Sequence, residues 1–225
     1  MQPNKCLLSS NNINSIIFDF DYTLVDSSSA SIECVSYALT QLSLPVPTPD
    51  SIRRTIGMSL EETLRALTGI DERKTAEEFR RLFVHRADEV MLERIIFLDG
   101  VKQVLLDLDR RNLLLGIVSN KYRYRIEAFL LREHLEKLID VIVGFEDTPK
   151  PKPDPDGLLI AMNKLGTSQT QTVYIGDSLT DAETASRVGM SFIAVLTGVT
   201  ARQEFEGYSP CFIINNLQDL LQLLS

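Results

Sequence analysis

The chain has almost none of the residues that build disulfide frameworks or nitrogen–sulfur metal centres. In 225 residues there are three cysteines and two histidines. Cys6, Cys34 and Cys211 are odd in number and far apart, which fits reduced thiols in a cytosolic fold better than a disulfide scaffold or a metal site. His85 and His134 fall in helical-looking stretches without ligand spacing. No stretch approaches the ~18 apolar residues of a membrane helix. The N-terminus lacks the basic start and long apolar segment of a secretory signal, so the expected location is the cytoplasm. Basic charge is short as well: 23 Lys and Arg against 31 Asp and Glu give a net charge of −8. That argues against nucleic acid or an anionic membrane as partner, because both need basic patches. It does not argue against a phosphorylated small molecule, since a metal ion and one or two lysines can reverse the field inside a cleft.

What is present is ordinary for a globular chain, 44% apolar and 24% charged. The length suits one large domain or a core with an insertion. Residues 1–12 are polar and Asn/Ser-rich and read as a loose tail. Residues 13–20 read as a first strand. Helical periodicity then runs to about residue 92, with helices expected over 31–42, 49–55, 60–68 and 75–93, and with Gly57 and Gly69 as stops. From Asp99 helices and strands alternate. Strands are expected at 113–118, 141–144, 173–175, 192–196 and 211–214. Helices are expected at 100–111, 124–132, 155–165, 181–188 and 217–224. This predicts an α/β fold, a Rossmann-like parallel sheet with helices on both faces. The helical block is too long for an ordinary crossover. The expected division is an α/β core of residues 1–26 and 93–225 with a helical domain, residues 27–92, inserted after the first strand.

Chemistry-bearing residues gather where these strands end. Ile16-Ile17-Phe18 runs into Asp19-Phe20-Asp21-Tyr22-Thr23. Strand side chains alternate, and a loop from Asp19 breaks that alternation, so both carboxylates can enter one crevice. Two carboxylates suit Mg²⁺, or a split between nucleophile and proton carrier. They equally suit acidic caps of a following helix. The strand 113–118 ends in Ser119-Asn120, whose hydroxyl and backbone amides can meet phosphoryl oxygens or simply cap a helix. Pro149-Lys150-Pro151-Lys152-Pro153-Asp154-Pro155 is a stiff, extended lead-in to a helix. Val173-Tyr174-Ile175-Gly176-Asp177-Ser178 leads to Asp181. Ligands of open parallel sheets bind beyond the carboxyl ends of the strands, and all four elements lie there.

In this order the four elements resemble the haloacid dehalogenase (HAD) superfamily, in particular its phosphoglycolate-phosphatase-like and β-phosphoglucomutase-like members. The resemblance implies an α-helical cap between the first and second elements, and Mg²⁺ as cofactor. It implies Asp19 as nucleophile and Asp21 as general acid and base. The dehalogenases themselves lack this second aspartate, so its presence favours phosphate chemistry. Ser119 takes the place of the family's phosphate-binding Ser or Thr, with Asn120 beside it. Lys152 is the preferred motif lysine and Lys150 the alternative. Asp177 would bind Mg²⁺ with a carboxylate oxygen of Asp19 and the main-chain carbonyl of Asp21. Asp181 fits an outer-shell acid, a ligand or a helix-terminal charge. In the insertion Arg53, Arg54 and Gly57 resemble the family's cap loop and are substrate-binding candidates; solvated arginines on a short helix are the plain alternative.

The resulting expectation is a Mg²⁺-dependent phosphatase of small phosphorylated metabolites, phosphoglycolate or a sugar phosphate, acting as monomer or homodimer. A phosphomutase is the rival activity, and a non-catalytic binding member the rival class.

Overall fold

The computed structural model describes residues 13–224, so the tail expected over residues 1–12, with Cys6, lies outside the described residues. The chain divides into two compact units. One takes the described residues up to Val25 and resumes at Phe97; the other is Asp26–Ile96.

In chain order the elements are β1 (Ser15–Phe18), β2 (Val25–Asp26), α1 (Ser28–Gln41), α2 (Pro49–Arg53), α3 (Leu60–Thr68), α4 (Arg73–Arg94) and β3 (Ile96–Phe97). There follow α5 (Val101–Arg110), β4 (Leu114–Val118), α6 (Arg123–Arg132), β5 (Val141–Val143), α7 (Asp156–Leu165), β6 (Thr172–Gly176), α8 (Leu179–Val188), β7 (Ser191–Val195), β8 (Phe212–Ile214) and α9 (Asp219–Leu223).

Six strands of the first unit form a sheet in the order β5-β4-β1-β6-β7-β8, with every pairing parallel. β1 is buried at all four positions and lies between β4 and β6. Continuous apolar strands of this kind are what a sheet covered on both faces needs. Register does the positioning. Phe18 pairs with Ile117 on one side and Ile175 on the other, so the residues that follow these three strands leave the sheet side by side. The Asp19 amide still bonds Ile175 O at 2.8 Å, and the Ser119 amide bonds Val143 O at 3.0 Å. Both residues are therefore held by the sheet at the point where their side chains leave it. α7 and α8 close on Gly166 (φ 68°) and Gly189 (φ 73°), left-handed caps that a glycine adopts without Cβ strain.

The second unit is helical. α1 packs along α4, and the buried residues Cys34, Ala38 and Leu39 of α1 and Phe79, Phe83 and Ala87 of α4 supply its apolar interior. Glu33 on α1 accepts from Arg86 Nε at 2.9 Å and also pairs with Arg94, both on α4. α3 starts in a capping box between Ser59 and Glu62 and ends on Gly69. β2 and β3 pair as a two-stranded ribbon where the chain leaves and re-enters the core.

Several expectations shift. The first strand is shorter than residues 13–20, because the chain turns at the aspartates. Short 3₁₀ segments at Phe145–Asp147 and Arg202–Tyr208 carry no periodic signal. His134 lies not in a helix but in the turn after α6, with φ 59°. Among the described residues no helix is long and apolar enough to cross a membrane.

Candidate active site

The loop after β1 is a tight, strained turn. Tyr22 adopts φ 61°, a left-handed conformation that costs a residue with a Cβ about 1–2 kcal/mol. It is held by the Tyr22 amide on Val25 O at 2.7 Å and by the Thr197 hydroxyl, which donates to Tyr22 O. The turn sends the two carboxylates to different partners, and both remain buried, Asp19 at 2% and Asp21 at 7% exposure.

Asp19 faces Lys152, whose ammonium donates to Asp19 Oδ1 at 2.7 Å, to Asp181 Oδ1 at 2.6 Å and to the Tyr174 hydroxyl at 2.9 Å. Three N–H groups meet three acceptors, so the head of Lys152 is fully specified. The Tyr174 hydroxyl in turn donates to Asp181 Oδ1 at 2.7 Å. Asp181 Oδ2 accepts from the Ser178 hydroxyl at 2.6 Å and the Ser178 amide at 3.2 Å, the capping box of α8. Asp181 therefore caps a helix and holds the lysine at once. The lead-in to α7 is not extended as the prolines suggest: Lys152 lies in a turn that the Asp154 amide closes on Pro151 O at 3.0 Å, and it is 4% exposed, whereas Lys150 is exposed.

Asp21 turns to Lys121. The Lys121 ammonium lies 3.1 Å from Asp21 Oδ1, with the side chains only 7% and 8% exposed. Ser119 is buried, and its hydroxyl oxygen accepts from the Lys121 amide at 3.2 Å. Asn120 uses both ends of its amide on the main chain of Lys152: Oδ1 accepts from Lys152 N at 2.8 Å, and Nδ2 donates to Lys152 O at 3.2 Å. Its side chain thereby ties the β4 loop to the lysine loop.

Asp177 leaves the end of β6 and accepts from the Thr23 hydroxyl at 3.3 Å. Loop 196–198 presses on its other side, so close that a Cβ on Gly198 would lie 1.8 Å from Asp177 Oδ2.

Burial raises the Asp19 carboxyl most. The Lys152 ammonium pulls it back, Asp181 and Asp21 push again, and it settles at about 7. Burial, then Asp181 and Asp19, hold Asp177 well above the usual carboxylate range. Burial works to lower the Lys152 ammonium, but the Asp181 and Asp19 carboxylates overcome it and keep the group above its ordinary value. The Lys152 ammonium thus stands alone against the three carboxyls of Asp19, Asp177 and Asp181.

Carboxylate oxygens of Asp19, Asp177 and Asp181 lie within 4.8 Å of one another. All three are hard donors of the kind Mg²⁺ prefers. Asp181 has both oxygens engaged by Lys152, Tyr174 and Ser178, so Asp19 and Asp177 are the two that retain capacity for a cation. Their raised carboxyls mark a place where a divalent charge relieves repulsion. The donor set fits the ion. The Asp21 carboxylate stands outside this trio, with Lys121.

Arg53 and Arg54 are exposed in the helical unit. Arg53 pairs with Asp50 at 2.7 Å, and Arg54 directly follows α2 as its C-cap. Gly57 has φ 95°, a conformation that suits glycine.

No motif in the sequence marks Lys121, Tyr174 or Gly198 as site residues, and Thr23 reads equally as a bond to the backbone of its loop or as a plain turn residue. Lys121 directly follows Ser119-Asn120, and adjacency was its one signal. Tyr174 reads as a strand residue, and only its hydroxyl, aimed at Asp181, betrays a polar role. Gly198 lies in the loop after β7, which carries no other motif.

The haloacid dehalogenase-like hydrolase family profile matches residues 16–195. The probable phosphatase IndB of Dickeya dadantii is 30% identical over 209 residues, covering 92% of this chain and 91% of that protein. The phosphoglycolate phosphatase of Salmonella typhimurium is 30% identical over 234 residues, covering 95% and 93%. A solved structure from Bacteroides fragilis, described as a haloacid dehalogenase-like hydrolase, superposes with a TM-score of 0.90 at 39% identity, over 92% of this chain and 99% of that one.

Proposed function

The chain belongs to the haloacid dehalogenase-like hydrolases, and from that premise we propose that it is a Mg²⁺-dependent phosphomonoesterase of a small phosphorylated metabolite, working through an aspartyl-phosphate on Asp19. The observation that carries this reading is the Asp19–Lys152–Asp181 arrangement: a buried carboxylate at the end of the central strand, 2.7 Å from an ammonium whose own position is locked. The relatives named as phosphatases support the same class, and those named phosphoglycolate phosphatase favour a small ester.

Asp19 attacks phosphorus as the bond to the leaving oxygen breaks. Lys152 neutralises charge on the nucleophile and the phosphoryl oxygens, and Ser119 Oγ donates to the latter. Asp21 gives its proton to the leaving alkoxide. It then takes one from the water that cleaves the acyl-phosphate, which releases phosphate and restores the Asp19 carboxylate. Asp177 and Asp19, with the main-chain carbonyl of Asp21, would hold Mg²⁺, which supplies Lewis-acid neutralisation of phosphoryl charge when bound. Asp181 and Tyr174 position Lys152. The helical insertion Asp26–Ile96 we read as a substrate-selecting cap, with Arg53, Arg54 and Gly57 as its candidate contacts.

The test is a panel of phosphorylated metabolites assayed with and without Mg²⁺, followed by chemical trapping of the phosphorylated enzyme. Metal-dependent phosphate release, and label on Asp19 that Asp19→Asn abolishes, are expected. Asp19→Asn turnover within tenfold of wild type would rule out covalent catalysis at this residue.

A further inference from the structure

Lys121 is a charged side chain at the site that the phosphoryl transfer above does not use. Burying an ammonium carries a desolvation cost unless a partner offsets it. Here the partner is Asp21, at 3.1 Å. The two lysines divide the site between them. Lys152 contacts Asp19, at the end where the phosphoryl group is received. Lys121 contacts Asp21, at the end where the alcohol departs. The leaving oxygen must come within hydrogen-bond reach of Asp21, about 2.6–3.2 Å. The first atoms it carries then fall within reach of an ammonium that touches the same carboxylate. The lysine is also fixed from behind: its amide donates to Ser119 Oγ at 3.2 Å, and α6 begins at Arg123.

We propose that Lys121 determines specificity by pairing with a carboxylate carried next to the ester carbon of the leaving group. The site then prefers small carboxylated phosphate esters to neutral polyol or sugar phosphates. This rests on the phosphatase reading and narrows it. A substrate carboxylate competes with Asp21 for the ammonium, and as it takes that place the Asp21 carboxylate is released, takes a proton from water and turns towards the leaving oxygen. A neutral leaving group leaves Lys121 on Asp21, so it gains nothing from the cation. Recognition of the anionic part and placement of the proton donor are then one event.

The experiment compares phosphoglycolate with its neutral carboxamide counterpart in wild type, Lys121→Met and Lys121→Arg, all with Mg²⁺. Wild type is expected to favour the acid by roughly 10- to 100-fold in kcat/KM. Lys121→Met should lose that preference and bring the acid-to-amide ratio to within about threefold of unity. Lys121→Arg keeps the charge and should keep most of the preference. Should Lys121→Met prove unstable in a thermal melt, glycolate inhibition of wild type and Lys121→Arg decides. Glycolate is expected to compete in both and neutral glycolamide in neither, and equal inhibition by the two overturns the proposal. An unchanged acid-to-amide ratio in Lys121→Met also overturns it, since the lysine then only supports Asp21. Wild type that hydrolyses sugar phosphates but not phosphoglycolate overturns the Lys121 proposal and leaves the phosphatase reading standing. Wild type inactive on every monoester of the panel removes both.

Discussion

Asn120 grips the main chain of Lys152 at both ends, accepting from its amide at 2.8 Å and donating to its carbonyl at 3.2 Å. The residues stand 32 apart in sequence, on loops that follow different strands. Lys152 is thus fixed twice, at its backbone by Asn120 and at its ammonium by Asp19, Asp181 and Tyr174. A lysine side chain has large rotamer freedom, and a site that needs its charge at one point must remove that freedom beforehand.

Asn120→Ala should therefore act on turnover more than on substrate affinity. Misplacement of a charge-bearing group by about 1 Å costs on the order of 100-fold. We expect kcat to fall by roughly 10- to 100-fold with KM within about threefold. A kcat within threefold of wild type would show that the ammonium's own partners suffice to hold it.

A second prediction follows from the close approach of Gly198 to Asp177. An alanine Cβ would lie 1.8 Å from Asp177 Oδ2 and 2.7 Å from its Cγ, so either the carboxylate or the loop must move. Gly198→Ala should raise the Mg²⁺ concentration for half-maximal activity by roughly 10- to 100-fold, the usual consequence of disturbing a ligand's support. Gly207→Ala is the control. No heavy atom lies within 4 Å of its added Cβ, and metal dependence should be unchanged. Equal Mg²⁺ dependence in the two variants would remove Asp177 from the ligand set.

The raised carboxyls make stability depend on pH in the sense opposite to that of most acidic groups. Asp19 titrates near 7 folded against 3.8 unfolded, and Asp177 is shifted the same way. Between those values the folded metal-free chain binds more protons than the unfolded one. Its stability therefore falls as pH rises through that window. Mg²⁺ binds the ionised forms, so its stabilisation should grow with pH. At saturating metal, about 100 times Kd, the gain is about 2.7 kcal/mol, or roughly 5–10 °C in Tm. Thermal melts in chelator and in excess Mg²⁺, from about pH 5 to about pH 8, check this. A Tm difference that shrinks or stays constant with pH sinks it.

Much of this site is legible in the sequence because it lies where apolar runs stop. Ile16-Ile17-Phe18, Gly116-Ile117-Val118 and Val173-Tyr174-Ile175 could only be buried strands. Asp19, Ser119 and Asp177 follow each of them, and parallel register then sets the three side by side. Gly69 marks the end of α3 because the left-handed cap favours glycine, whereas α2 already stops at Arg53, short of Gly57. What stayed hidden depends on distance in sequence. Lys121 acquires meaning only from Asp21, which is brought to it by the pairing of β1 with β4. The hydroxyl of Tyr174 meets an aspartate seven residues on, across the start of α8. β2 and β3 are two residues each, too short for any periodicity. Lys150 and Lys152 look alike in a Lys-Pro repeat, and only the fold buries one and exposes the other.

The last prediction separates the two jobs given to Asp21. As an acid it protonates the leaving alkoxide, and as a base it activates water against the aspartyl-phosphate. Proton transfer by a positioned group contributes about 10²- to 10⁴-fold. An alkyl phosphate needs both services, so Asp21→Asn should lower its turnover by that order from the first step. An activated aryl phosphate leaves as a stable phenolate and needs only the second. Asp21→Asn should then transfer its phosphoryl group to Asp19 at a rate within about tenfold of wild type and stall there. Rapid mixing should show a burst of phenolate near one equivalent per site, followed by slow turnover, with label accumulating on the protein. With the alkyl substrate no burst should appear. A variant that slows the aryl burst as much as the alkyl reaction would place Asp21 in the positioning of Asp19, not in proton transfer.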